Sequence, residues 1–416
     1  MPNNYVNQIS GILNEIHEQV TGVKPVGQVD TATCTAIATT ALNNGWDPVM
    51  NAISQIISRT IFSIRDYSAK FPNLRKSESE YGYHVRKLNI ADKPVQNNGA
   101  FMWPVGVADA PSTDPGEPVV GDGYSVDPYT IDKPLILQTN FYGLDTFKES
   151  KTFFDYQLNS AFKGPEQVAE FFSFVTRHVN NKLQSYREHV ARLLLLNFIG
   201  GIIAENNQHR VVHLLSEYNA LTGLSLTSQT VYQPDNYKPF MQWAYSRIAG
   251  ICSLMTERTG LFQTKVNDLS INRHTPYEEQ DIYLLAPDRF GMEARVLADT
   301  YHDNYLRLGN VETVNFWQGV EEGGSGVESD DLAAAHTINL HCSRIGSDGT
   351  PVSADVEQSN VFGLVMDREA AGYAPVFPRV YTTPMNAEGG YLNTVWHENY
   401  KMWNDHTEKG VVLLLD

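Results

Sequence analysis

The sequence predicts an α+β protein. Three observations support this class: apolar residues recur at helical spacing from Gly164 to about Asn206, strand-forming residues at 81–90 resume at 135–137, and residues 379–416 are rich in Tyr and Trp. The 416 residues allow two or three domains, and an apolar content of 42% is enough for a buried core.

Residues 1–58 predict an N-terminal helical arm of three short helices. The second follows Asp30 and stops near Gly45, and the third starts at Asp47 with proline at the first helical position. An arm of this size buries little apolar surface, so we expect it to pack on the body or on a neighbouring subunit.

Residues 59–150 predict a two-stranded arm with a loop at its tip. Basic residues outnumber acidic ones over 59–93, where the first strand lies, whereas residues 107–132 hold four prolines, six acids and no base. Prolines at that density exclude a helix or a central strand. The stems and the tip of the arm therefore carry opposite charge.

Residues 151–260 predict the longest helix of the chain and two shorter ones. The long helix opens at Gly164 and would span on the order of 60 Å, with a bend at the Gly200-Gly201 pair. A coiled coil is the alternative, but the polar side lacks regular charge pairing. Shorter helices follow at 213–218, before Gly223, and at 235–258.

Residues 261–372 predict alternating strands and short helices, and residues 373–416 predict antiparallel strands. The expected elements are a strand at 282–285, a helix at 291–301, strands at 337–345 and 361–366, a glycine-rich acidic loop at 321–331, a hairpin around 388–390 and a terminal apolar strand at 411–415.

Composition excludes several classes of protein. A net charge of −17 disfavours a protein that grips nucleic acid over its whole surface, although it permits one that surrounds nucleic acid. The most apolar stretch, 193–204, is shorter than the roughly 20 residues that a membrane crossing needs. Three widely spaced cysteines, Cys34, Cys252 and Cys342, and a polar start without a secretory signal predict synthesis in a reducing cytosol.

Motifs for catalysis, nucleotides or metals are not found. The sequence holds no GxxxxGK[ST], no GxSxG and no HExxH. The candidate metal ligands are three pairs, for which we predict no metal, since His336 and His341 would lie on opposite faces of a strand. The pairs are His336 with His341, His397 with Glu398, and Asp405 with His406.

Other candidate site residues have simple structural interpretations. We expect Cys252 to pack in a helix core and the acidic pair Glu278-Glu279 to be solvated. Four C-terminal aromatic residues would form either a sugar-binding platform or, as we favour, cross-strand packing pairs. They are Tyr391, Trp396, Tyr400 and Trp403. We therefore predict no catalytic, cofactor-binding or metal-binding residues.

The order of these parts resembles the major capsid protein of tailed bacteriophages, whose fold is shared with encapsulins and the herpesvirus capsid floor. Residues 77–88, SESEYGYHVRKL, resemble the first strand of the E-loop of that family. Residues 361–372, VFGLVMDREAAG, resemble a capsid strand that leads into a short helix, and 396–415 resemble the closing strands, particularly those of short-tailed phages.

The resemblance implies a domain organisation. Residues 59–150 would be the E-loop and its stems, 151–260 the spine helix and packing helix of the P-domain, 261–372 the A-domain, and 373–416 the C-terminal P-domain strands. Residues 1–58 depart from a minimal capsid subunit.

The resemblance also implies a function. The chain would be a non-enzymatic subunit that assembles into pentamers and hexamers of an icosahedral or prolate shell around double-stranded DNA, in the virion, after synthesis in the host cytoplasm. Scaffolding protein and portal would be partners during assembly, with no cofactor and no membrane. Residues 95–133 would contact a different subunit.

Two other functions stay open at this point, an encapsulin-like cargo compartment and a cytosolic hydrolase or carbohydrate-binding protein. Some relatives join neighbouring subunits by Lys–Asn isopeptide bonds, and Lys87, Lys93 and Lys133 flank the E-loop here. We predict that all three are ordinary surface lysines.

Overall fold

The computed structural model describes residues 65–77, 84–93, 129, 131, 133–154, 165–267, 269, 271–296, 310–318 and 336–416. The predicted helical arm at 1–58, most of the loop at 107–132 and the acidic loop at 321–331 lie outside these residues. The described chain forms two compact units. The first lies within 65–69, Lys148–Arg187 and Arg379–His397, and the second within Lys70–Phe147, Glu188–Pro378 and Glu398–Asp416.

Four helices are described: α1 (Pro165–Glu205), α2 (Leu214–Thr222), α3 (Pro234–Thr256) and α4 (Ala286–Val296). They confirm the long helix and the two shorter helices that follow it, and Gly223 ends α2 in the left-handed conformation, as glycine commonly does. No helix among the described residues is long and apolar enough to cross a membrane.

The predicted start of the helix at 291–301 is wrong, because α4 begins five residues earlier, at Ala286. Pro287 falls in the first helical turn, where a missing N–H leaves no hydrogen bond unmade, and Asp288 also lies in that turn. The end of the predicted helix, 297–301, lies outside the described residues.

Twelve strands are described: β1 (Val85–Ile90), β2 (Ile136–Phe141), β3 (Gly143–Phe154), β4 (Val211–His213), β5 (Gln280–Leu285), β6 (Asn310–Val314), β7 (Ile338–Ile345), β8 (Pro351–Gln358), β9 (Val361–Asp367), β10 (Ala371–Thr382), β11 (Tyr391–Asn404) and β12 (Gly410–Leu414). The strands predicted at 282–285, 337–345, 361–366 and 411–415 are confirmed. The strands pair as β1-β2, β10-β11-β3, β4-β12-β9-β5-β6 and β7-β8.

The core of the second unit is the five-stranded mixed sheet. Strands β5, β9 and β12 are buried along their whole length, as expected for strands covered on both faces. Buried side chains of α2 and α3 join those of the sheet in one apolar cluster. Gly363 is required in β9, because a Cβ there would lie 2.6 Å from a methyl group of Leu284 in the neighbouring strand β5.

Polar contacts join an extended segment of the first unit to α1. The Asn181 side chain accepts a hydrogen bond from the Tyr67 N–H (2.9 Å) and donates one to the Arg65 carbonyl (2.7 Å). The predicted hairpin around 388–390 is confirmed, since β10 and β11 are adjacent strands and Gly390 has a φ of 61°. The hydrogen bonds of Asn181 thus attach the extended segment at 65–67 to α1.

Candidate functional site

The predicted two-stranded stem is the antiparallel hairpin β1-β2. Six residue pairs run from Val85 opposite Phe141 to Ile90 opposite Ile136. The pairing continues toward the tip, where the Ala91 N–H donates to the Leu135 carbonyl at 2.8 Å. The hairpin therefore confirms the strand pair that the sequence predicted, and residues 94–128 at its tip lie outside the described residues.

One face of this hairpin, which we call the outer face, exposes large apolar side chains. Leu88, Ile90 and Ile136 are 59%, 64% and 58% exposed, and the last two are directly paired. Side chains alternate between the two faces of a strand, so these three residues share a face. Contiguous apolar patches on a soluble protein commonly mark an interaction surface.

The opposite face, the inner face, carries a lysine toward the body of the second unit. The Lys87 Nζ lies 3.1 Å from Asp405 Oδ2 and also contacts Glu408 Oε1, and its side chain is only 18% exposed. The Arg273 guanidinium contacts the same Glu408 oxygen and donates to Thr407 Oγ1 at 2.9 Å. We call Lys87, Arg273, Asp405 and Glu408, with Thr407, the ionic cluster.

The pKa values of the cluster reflect competition between burial and ion pairing. Burial lowers the pKa of Lys87, but the Asp405 and Glu408 carboxylates outweigh burial and raise it above its ordinary value. Burial raises the pKa of Asp405, but Lys87 and Thr407 outweigh burial and lower it. Lysine and aspartate are therefore both charged near neutral pH, and they hold each other in place.

A second anchor fixes the hairpin nearer its tip. The Asn272 N–H donates to Asp92 Oδ2 at 2.8 Å, and the Arg258 guanidinium pairs with the other carboxylate oxygen. The hydrogen bond from Asn272, followed by the one from Arg258, lowers the pKa of Asp92. The stem is thus attached to the body at two points.

The prediction that Lys87 is an ordinary surface lysine is wrong, because the inner face turns it into the ionic cluster. Lys93 and Lys133 are exposed, as predicted, and Lys93 Nζ donates to the Lys133 carbonyl at 2.7 Å. Sequence reasoning missed Arg273 and Glu408. The available signal was the alternation of side chains along β1, which places Lys87 on the other face of the strand from Leu88 and Ile90.

The remaining histidine candidates have separate surroundings. His341 Nδ1 lies 2.7 Å from Asp355 Oδ1 on an exposed face, and burial lowers the pKa of His336. The His397 ring packs against Tyr381 with ring centroids 5.8 Å apart. Among the described residues, no group of three His, Cys, Asp or Glu side chains is arranged to hold a metal ion.

Asp405 and His406 are both buried, but they have different partners. Asp405 belongs to the ionic cluster, whereas the His406 ring stacks on Phe198 with centroids 5.0 Å apart. Gly201 leaves room for this ring, which a Cβ at that position would meet. Burial, and then the Arg210 charge, lowers the pKa of His406 to about 3, so the ring is neutral. The predicted bend at Gly200-Gly201 stays a prediction.

The other candidate residues follow the structural interpretations. Cys252 and Cys342 are buried free thiols, and burial raises the pKa of Cys252 to about 12. Glu278 and Glu279 are exposed, so the pair is solvated as predicted. Cys34 lies outside the described residues.

Tyr391, Tyr400 and Trp403 pack across strands, as favoured, whereas the packing of Trp396 stays a prediction. Tyr391 of β11 meets Phe154 of β3 at 5.5 Å between ring centroids, and Tyr400 meets Tyr373 of β10 edge-on at 5.8 Å. The Trp403 ring lies over Gly372, where a Cβ would come within 2.6 Å of it.

Two clefts of about 610 and 730 Å³ are lined by described residues of the second unit. The first lies beside β2 and also touches Asn197 and Ser343, and the second lies beside Gln263. Neither lining includes His336, His341 or His406. The clefts therefore do not bring the histidine candidates together.

The fold, a mixed arrangement of helices and sheets, is that of phage capsid proteins. Over 86% of this chain and 87% of the other, it matches a chain in the capsid structure of Staphylococcus phage Andhra, with a TM-score of 0.55 and 8% identity. With the same coverage it matches a chain in the structure of the head fiber and inner core protein gp22 of native bacteriophage P68, with a TM-score of 0.52 and 9% identity. No curated protein sequence matches the chain.

The sequence itself gives the family. The profile described as Phi29-like phage major capsid protein matches residues 9–414, which is nearly the whole chain. The chain belongs to the Phi29-like phage major capsid protein family. It is a structural component of the virion, and copies of it assemble into the capsid shell.

Proposed function

We propose that this capsid protein forms pentamers and hexamers of an icosahedral or prolate shell that encloses double-stranded phage DNA. In this proposal the β1-β2 hairpin is the stem of an E-loop, and residues 95–133 at its tip contact a different subunit. The E-loop joins neighbouring subunits, so the shell depends on an extended arm as well as on the bodies of the subunits.

The observation that carries the proposal is the exposed apolar outer face of the hairpin. Leu88, Ile90 and Ile136 are each more than half exposed in the single chain. Covering them with a second copy would stabilise the assembly by roughly 1–2 kcal/mol per side chain. Each subunit repeats this gain around the shell.

The domain organisation is also part of the proposal. The E-loop and its stems comprise residues 59–150. The P-domain comprises 151–260, with α1 as the spine helix and α3 packed in the apolar core, together with the C-terminal strands at 373–416. The A-domain comprises 261–372, and residues 1–58 form a helical arm.

The proposed partners follow from the shell. A net charge of −17 suits a wall that encloses DNA without gripping it, since tight phosphate binding needs clustered Lys and Arg. Scaffolding protein and portal are the proposed partners during assembly. We propose no catalytic, cofactor-binding or metal-binding residues and no enzymatic activity.

The test is a triple substitution on the outer face, Leu88→Ser with Ile90→Ser and Ile136→Ser. The purified wild-type protein should form closed particles in negative-stain micrographs, and the variant should stay a soluble, folded subunit. Serine removes the apolar contact while leaving the backbone pairing of the hairpin in place.

The matched control is a triple serine substitution on the exposed polar face of β7-β8, at Asn339, His341 and Glu357. These residues are also exposed, so the control should assemble as the wild type does. Normal particles from the apolar triple variant would contradict the proposal. Wild-type particles that hold tagged cargo protein and no DNA would favour the encapsulin-like alternative.

A further inference from the structure

The ionic cluster contains more buried charge than attachment of a hairpin requires. Lys87 and Arg273 face Asp405 and Glu408, and none of the four side chains is more than 18% exposed. These four charges balance, two positive against two negative, and the exposed Glu369 carboxylate lies 3.9 Å from Lys87 Nζ. Three separate parts of the second unit meet here: β1, the segment before Thr275, and the turn between β11 and β12.

Stability alone does not account for this arrangement. Removing charges from water is costly, and replacing a buried ion pair by apolar side chains of similar size is often neutral or stabilising. A methionine at position 87, with a neutral partner, would leave the stability of the subunit about the same. Unlike apolar packing, the cluster requires each charge to meet its partner, and it therefore restricts how the hairpin lies on the body.

What the cluster decides is which face of the hairpin points inward. Besides Arg86, Gln138 and Asn140, the outer face carries the apolar residues Leu88, Ile90 and Ile136. The inner face also carries three apolar residues, Val85, Leu137 and Phe141, beside Lys87, Asn89 and Thr139. Apolar burial alone therefore does not decide which face turns toward the body. A shift of pairing by one residue would exchange the two faces, because side chains alternate along a strand.

We propose that Lys87 is a positioning residue for shell assembly: its ion pairs with Asp405 and Glu408 hold the hairpin with its apolar face outward, where a second copy of the chain covers it. Lys87 acts without touching the second copy. This inference rests on the proposed function of the outer face. It assigns the control of that face to an intrachain contact.

The test removes the Lys–Asp pair and leaves Arg273 paired with Glu408. The double variant Lys87→Met/Asp405→Asn should keep the denaturant midpoint of the wild-type subunit, while its yield of closed particles falls by about tenfold, which corresponds to ~1.4 kcal/mol. The control, Lys182→Met/Glu149→Gln, removes another lysine–carboxylate pair, whose Nζ and Oε1 lie 3.0 Å apart. It should assemble as the wild type does.

Hydrogen exchange on unassembled subunits provides a readout that does not depend on assembly. In the double variant, amides of Val85–Ile90 should exchange faster, while those of the five-stranded sheet keep their wild-type rates. Lys87→Arg keeps the charge and should retain particle formation. A purely structural role of Lys87 would instead lower the denaturant midpoint of the double variant.

Several outcomes would overturn the inference. Wild-type particle yield and exchange rates in the double variant would do so, as would loss of folding in both the double variant and Lys87→Arg. If the wild-type subunit formed no closed particles, the proposed function would fail. The exchange rates would still decide whether Lys87 orients the hairpin.

Discussion

The antiparallel hairpins β1-β2 and β7-β8 have opposite distributions of polarity. In β7-β8 the apolar residues Ile338, Cys342 and Val356 are buried, and the exposed face carries polar side chains. In β1-β2 the exposed face carries apolar side chains and the inner face carries Lys87. The pattern of β7-β8, with apolar side chains buried and polar side chains exposed, is what a single soluble chain requires.

The difference between the two hairpins separates folding from association. The apolar face of β7-β8 is buried within one chain, whereas the apolar outer face of β1-β2 would be buried only by a second copy. Their connections differ in the same way: residues 346–350 join β7 to β8, and residues 91–135 join β1 to β2. The longer connection belongs to the hairpin that we propose for contact between subunits.

The largest expected effect comes from making the first hairpin like the second. Replacing residues 95–133 by the five-residue sequence of positions 346–350 should leave a soluble, folded subunit that forms no closed particles. The short turn removes the segment proposed to contact another subunit. Negative-stain microscopy and sedimentation measure the loss, and normal particles from this variant would count against the E-loop assignment.

An intermediate effect is expected when a substitution on the buried face of β7-β8 is compared with one on the exposed face of β1-β2. Ile338→Ala should lower the free energy of unfolding by ~2–5 kcal/mol, because it leaves a cavity beneath β7. Ile90→Ala should change it by no more than ~0.5 kcal/mol, because Ile90 is mostly exposed in the single chain. Denaturant unfolding of subunits kept unassembled at low concentration measures both, and equal losses would contradict the comparison.

The smallest expected effect comes from breaking the ion pair between His341 and Asp355 on the exposed polar face of β7-β8. His341 and Asp355 are 67% and 90% exposed, so His341→Gln should change the free energy of unfolding by less than ~0.5 kcal/mol. Particle yield should be unchanged as well. A large loss of either would mean that this face, too, is covered in the shell.

The helices could be predicted from sequence because their signals are local. The apolar repeat of α1 and the glycine that ends α2 lie within the elements they define. The predicted start of α4 at Gly291 is five residues too late, because it does not take Pro287 as a start signal. A proline in the first turn is a local signal that marks the start of a helix to within about two residues.

The facing of the first hairpin could not be predicted, because it depends on distant residues. Strand formers at 85–90 predicted a strand, but its inner face is chosen by Arg273, Asp405 and Glu408. The polar run at 405–409 reads as an exposed turn, and yet it is buried. Its charges are satisfied inside, as when Lys409 Nζ donates to the Glu257 carbonyl at 2.6 Å.

The position of β12 has a consequence for synthesis of the protein. This strand lies between β4 and β9 in the central sheet, and the acids that hold Lys87 come immediately before it. A nascent chain that has not yet emerged from the ribosome through this strand has a gap in its sheet and no partners for Lys87. We therefore expect the arm to take up its orientation only after β12 has left the ribosome.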